Sequence, residues 1–142
     1  MSALSILSSG MVSAVGLSAP ASCAAIRCAL DNFQETRFID AGGEWQVAAS
    51  VPLEEPWRGR TKLVKMAARA IAESLAGVPG IDYAATPLLL GVAELDRPGR
   101  CDGLDNGLLR DIEGELGVQF HGASTLIPVS YTHLTLPTKR IV

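Results

Sequence analysis

Short apolar runs of strand character take turns along this chain with stretches whose apolar residues recur every three or four positions. That alternation limits the fold more than any single motif, because it matches layered α/β proteins in which strands form a largely parallel sheet and helices cover it. The first run, Leu4 to Gly16 (LSILSSGMVSAVG), reads as a buried strand with apolar residues on both faces. Ser8, Ser9 and Gly10 leave room for close neighbours, and Gly16 is expected at positive φ in the turn that follows. Ser18 is a good helix N-cap and Pro20 sits in the first turn, where its missing N–H is harmless. Cys23, Ile26, Leu30 and Phe33 then make one apolar stripe, which casts Cys23 as core filling.

Asp40 to Gly43 is a turn signal, and Trp45, Val47 and Ala49 alternate with their neighbours as a half-buried strand would. Pro52 to Arg60, with its prolines and mixed charge, is a loop. Thr61 can cap a helix whose inner face is Leu63, Met66, Ala67, Ala70, Ile71, Ser74 and Leu75, with Gly77 and Pro79 as stop signals. Arg58, Arg60, Lys62, Lys65 and Arg69 form a basic cluster that reads as a solvated face ahead of a docking patch for an acidic partner. Pro87 to Ala93 (PLLLGVA) is a second central strand, and Glu94 to Gly103 a charged loop. Leu104, Leu108, Ile112 and Leu116 repeat every four residues as a helix ending at Gly117, and Val118 to Phe120 is β-prone.

Composition narrows the function classes. Of 142 residues, 48% are hydrophobic and 19% charged, which places the chain among globular domains. A net charge of −3 and 5% aromatics argue against a nucleic-acid partner. Cys23, Cys28 and Cys101 form no CxxC pair and the histidines are only His121 and His133, so no metal ligands are assigned. Reduced thiols point to the cytoplasm. The first basic residue is Arg27, so a leader would lack its basic n-region, and no run is long enough for a membrane span.

After Pro128 the pattern breaks. Val129 to Val142 (VSYTHLTLPTKRIV) is threonine-rich and continues nothing upstream. It resembles the in-frame translation of a transposase-type sequencing adaptor, with Val129 to Thr138 as the fixed part and Lys139 to Ile141 as an index. Residues 129–142 are therefore expected to be a non-native tail, which removes Tyr131 and His133 from consideration, and residues 1–128 to be the natural portion.

Three places in that portion carry a family resemblance: SSGMVSAVG (Ser8 to Gly16), WQVAASVP followed by TKLVKMAARAIAESL (Trp45 to Leu75), and ELGVQFHGASTLIP (Glu115 to Pro128). In order and spacing they resemble the N-terminal part of a β-ketoacyl synthase-like protein of the thiolase fold. The resemblance implies an incomplete thiolase-like layered α/β fold, a mainly parallel sheet flanked by helices. It implies a parent acyltransferase of fatty-acid or polyketide biosynthesis, fed by acyl carrier protein or acyl-CoA and forming a homodimer or pseudo-dimer. Such a parent transfers an acyl group to a cysteine thiolate and then makes a carbon–carbon bond, with two histidines, or a histidine and an asparagine, stabilising developing charge. No cysteine here matches the elbow that bears this nucleophile, and His121 matches a structural position.

No catalytic, cofactor or metal residue is therefore assigned. Cys101, in GRCDG, reads as a loop thiol, and Ser8, Ser9 and Ser13 have no histidine or acid partner in sequence context. The fragment is expected to be inactive alone and to expose apolar faces. One departure stands out: the strand Pro87 to Ala93 runs into charged VAELDRPGR instead of a glycine- and threonine-rich turn. This leans toward a divergent branch, including a non-catalytic accessory subunit of the chain-length-factor kind. A nucleotide-binding domain is the other rival, but Gly10 to Gly16 fits neither GxGxxG nor GxxxxGK[ST].

Overall fold

A computed structural model describes residues 5–129 of the chain. It is an α/β protein with three α-helices and two small sheets among the described residues, one of the sheets parallel. The chain divides into two compact units, Met1–Ile81 and Asp82–Val142.

In the first unit, helix α1 (Ala19–Arg27) starts as the sequence predicts. The Ser18 hydroxyl accepts from the Ala21 N–H at 3.3 Å, and proline occupies the first turn. Its end differs from expectation. The helix stops at Arg27 because Ala29 enters the left-handed region at φ 52°. The Leu30 N–H then reaches the Ala25 carbonyl at 2.9 Å and the Ala29 N–H the Ile26 carbonyl at 3.0 Å. This is a Schellman ending built on alanine, where glycine is usual. The stripe through Cys23, Ile26, Leu30 and Phe33 is thereby broken, and all four side chains are exposed. Cys23 is not core filling; the residue that α1 buries is Ser22.

Strand β1 (Phe33–Ile39) and strand β2 (Trp45–Ala49) form an antiparallel hairpin. The turn is the one expected around Asp40. Its carboxylate accepts from Gly42 at 2.8 Å and Glu44 at 3.0 Å, an Asx-type closure, and Gly43 sits at φ 85°. The Asn32 side-chain amide donates to the carbonyls of Ala14 (3.1 Å) and Ser50 (2.9 Å), holding the open end of the hairpin. β2 is exposed along its whole length, where the alternation predicts one buried face, because among the described residues no helix of its unit packs closely on the sheet.

Helix α2 (Gly59–Ala76) begins ahead of the expected cap. Arg58 is the N-cap and makes no side-chain capping bond, and Thr61 lies inside the first turn. Val64 and Ala68 are its buried residues, which rotates the inner face away from Leu63. The alanines do permit a close approach. A Cβ at Gly10 would lie 2.0 Å from the Ala70 carbonyl oxygen, and one at Gly77 would lie 2.1 Å from the Ser8 hydroxyl. The segment expected to be the first buried strand thus lies along α2. Leu4 falls outside the described residues; Ile6 and Leu7 are 92% and 74% exposed, and only Ser13 and Gly16 make an isolated bridge. A strand needs a hydrogen-bonded neighbour, and among the described residues of this unit residues 5–12 pair with none. Gly16 is not at positive φ; the tight fit beside it explains the residue, since a Cβ there would lie 2.5 Å from the Ser22 nitrogen.

In the second unit a 3-10 turn (Tyr83–Ala85) leads to strand β3 (Leu89–Ala93), helix α3 (Asn106–Leu116) and strand β4 (Thr125–Val129). β3 and β4 pair in parallel, Leu89 opposite Thr125 through Ala93 opposite Val129, so the unit is a βαβ crossover. The sequence pattern does not predict β4, which runs through Pro128 and Val129. The largely parallel sheet expected from the alternation is present as this one pair. α3 agrees with its sequence pattern. The Asp105 carboxylate caps it from the Gly107 N–H at 2.8 Å, and Gly117 ends it at φ 68°. Leu108, Leu109, Ile112 and Phe120 make the buried core, and Phe120 meets Tyr83 edge-on at 6.2 Å between centroids. Val118 to Phe120 is not a strand: the Phe120 N–H is taken by the Glu113 carboxylate at 2.9 Å.

Candidate functional site

A polar arrangement of the first unit surrounds the start of α1. Glu73, from α2, places its carboxylate against the helix N-terminus. The Ala19 N–H donates to both oxygens, at 2.9 and 3.0 Å, and the Met11 N–H donates to one of them at 2.9 Å. A carboxylate there satisfies open donors and meets the positive end of the helix dipole. Behind it the hydroxyls of Ser13 and Ser22 lie 2.8 Å apart, and Ser22 donates to the Gly16 carbonyl at 3.1 Å.

This arrangement holds the Gly10–Ala19 turn in place. Ser22 is 0% exposed, so no substrate reaches its hydroxyl. Both histidines of the chain lie beyond residue 81, so no imidazole of this unit can act as base for Ser8, Ser9 or Ser13. Sequence reasoning passed over Glu73 and Ser22, and no local signal marks them, because Glu73 lies 54 positions from the residue it caps.

The basic cluster is largely occupied with its own loop. Arg69 forms an ion pair with Glu54, the Lys62 ammonium donates to the Ser50 hydroxyl at 3.1 Å, and the Lys65 ammonium sits 4.9 Å from the centroid of the Trp57 ring. The Arg69 guanidinium, by its hydrogen bond, holds the Glu54 carboxyl below its ordinary value. These contacts tie residues 50–58 to the helix that follows and border an open recess of about 640 Å³, lined by residues 50–59 and Lys62.

In the second unit His121 is exposed and serves the turn before β4. Its N–H donates to the Thr86 carbonyl at 3.0 Å, its ring Nδ1 accepts from the Ala123 N–H at 3.1 Å, and its carbonyl accepts from the Ser124 hydroxyl at 2.6 Å. Ser124 in turn accepts from the Leu88 N–H at 3.0 Å, so the turn joins the starts of both strands. The end of β3 is closed by Arg100, which donates to the carbonyls of Ala93 at 3.1 Å and Leu104 at 2.8 Å. Cys101, half-buried in that loop, has its thiol 3.5 Å from the Asp102 carbonyl oxygen, and Cys23 and Cys28 are exposed and unbridged. Tyr131 and His133 lie outside the described residues.

Among the described residues no three His, Cys, Asp or Glu side chains come together to hold a metal, and no helix is long and apolar enough to cross a membrane. No family model matches the chain, and no curated protein or solved structure is similar to it.

Proposed function

We propose that residues 1–128 are the opening part of a β-ketoacyl synthase-like protein of the thiolase fold. Its parent acts in the cytoplasm as a homodimer or pseudo-dimer on acyl groups carried by acyl carrier protein or coenzyme A. The parent takes the acyl group onto a cysteine as a thioester and condenses it with a second unit. The nucleophile and the two charge-stabilising residues lie in sequence beyond this portion, so the portion alone is inactive.

The observation that supports this reading is the parallel β3–α3–β4 unit, a strand–helix–strand crossover of the kind from which layered α/β folds are built. Parallel sheets are ordinarily covered on both faces. Here Leu89 and Ile127 share one face, at alternate register positions, and both are exposed. A two-stranded pair with such a face suits a piece of a larger sheet better than a finished domain.

The alternative, a non-catalytic accessory subunit of the same fold, is favoured by Arg100. Open α/β sheets bind ligands beyond the carboxyl ends of their strands, and at β3 that end is filled by a charged loop bonded to Ala93. The test is to express the complete parent protein and expose it to a short-chain acyl-CoA. A stable mass increase equal to one acyl group on a cysteine supports the condensing enzyme. A folded parent that never acquires the adduct supports the accessory subunit.

A further inference from the structure

No further inference is drawn: the strongest candidate, the bare apolar face of the β1–β2 hairpin that carries Phe33, Ile39, Trp45 and Val47, carries nothing because nothing in the structure shows what covers it.

Discussion

Replacing Ile112 by alanine should dismantle the second unit. Ile112 is 0% exposed, at the centre of a core whose other buried apolar side chains are Leu108, Leu109 and Phe120. The change removes three carbons, which at about 0.8 kcal/mol per buried carbon costs roughly 2.5 kcal/mol in transfer. The cavity left behind raises the loss to about 3–4 kcal/mol. A unit of this size seldom commands more than about 3–5 kcal/mol in total, so Ile112→Ala consumes nearly all of it. Both tryptophans, Trp45 and Trp57, belong to the first unit, so tryptophan emission is a poor reporter of the event. Amide hydrogen exchange of peptides covering α3 does. Exchange there should accelerate by about 100-fold or more, since each 1.4 kcal/mol is a factor of ten. Gly114→Ala in the same helix provides the opposite sign. The added Cβ meets nothing within 4 Å, and alanine favours the helix by about 0.5–1 kcal/mol, so exchange should slow a few-fold. If Ile112→Ala changes exchange by less than about fivefold, this core does not hold the unit together.

The two left-handed helix ends make a reciprocal pair. Ala29→Gly should stabilise α1 by about 1 kcal/mol, and Gly117→Ala should destabilise α3 by about 1 kcal/mol, each read by amide exchange in the helix concerned. Glu73→Ala should cost about 1–2 kcal/mol and speed exchange at Met11 and Ala19, the amides its carboxylate accepts from; exchange unchanged at both would remove Glu73 as the cap. Arg69→Ala should raise the Glu54 titration midpoint toward the ordinary carboxylate value, followed by NMR. Because the folded-state value is lowered, whatever stability this pair contributes is present above the unfolded-state value and is lost as pH falls through the folded one. A midpoint unmoved by the substitution would show that the pair is not formed.

Where a structural decision rests on neighbouring residues, the sequence is a good guide. α3 is read from the spacing of Leu108, Ile112 and Leu116 and from the glycine that stops it, and the Asp40 turn from its own side-chain chemistry. The failures have physical causes. α1 stops at Ala29, which adopts a conformation usually reserved for glycine, so no stop signal is visible and Phe33 is drawn into the helix instead of β1. The run from Leu4 to Gly16 has the apolar content of a strand, but among the described residues of its unit no strand pairs with residues 5–12, and local pattern cannot supply one. The Glu73 cap joins residues far apart in sequence, and only the packed chain brings them together. The Ser13–Ser22 hydroxyl pair and its bond to the Gly16 carbonyl likewise rest on packing that no local pattern announces.

The most direct test of the proposed parentage is to sequence the source DNA past codon 127 without an adaptor. The proposal predicts that the reading frame continues into a thiolase-like second half, with a cysteine at a small-residue elbow followed by two histidines or a histidine and an asparagine. The same continuation without the cysteine would assign the parent to the accessory class. A natural stop codon shortly after position 128 would contradict the proposal, and the chain would then be a small α/β protein in its own right.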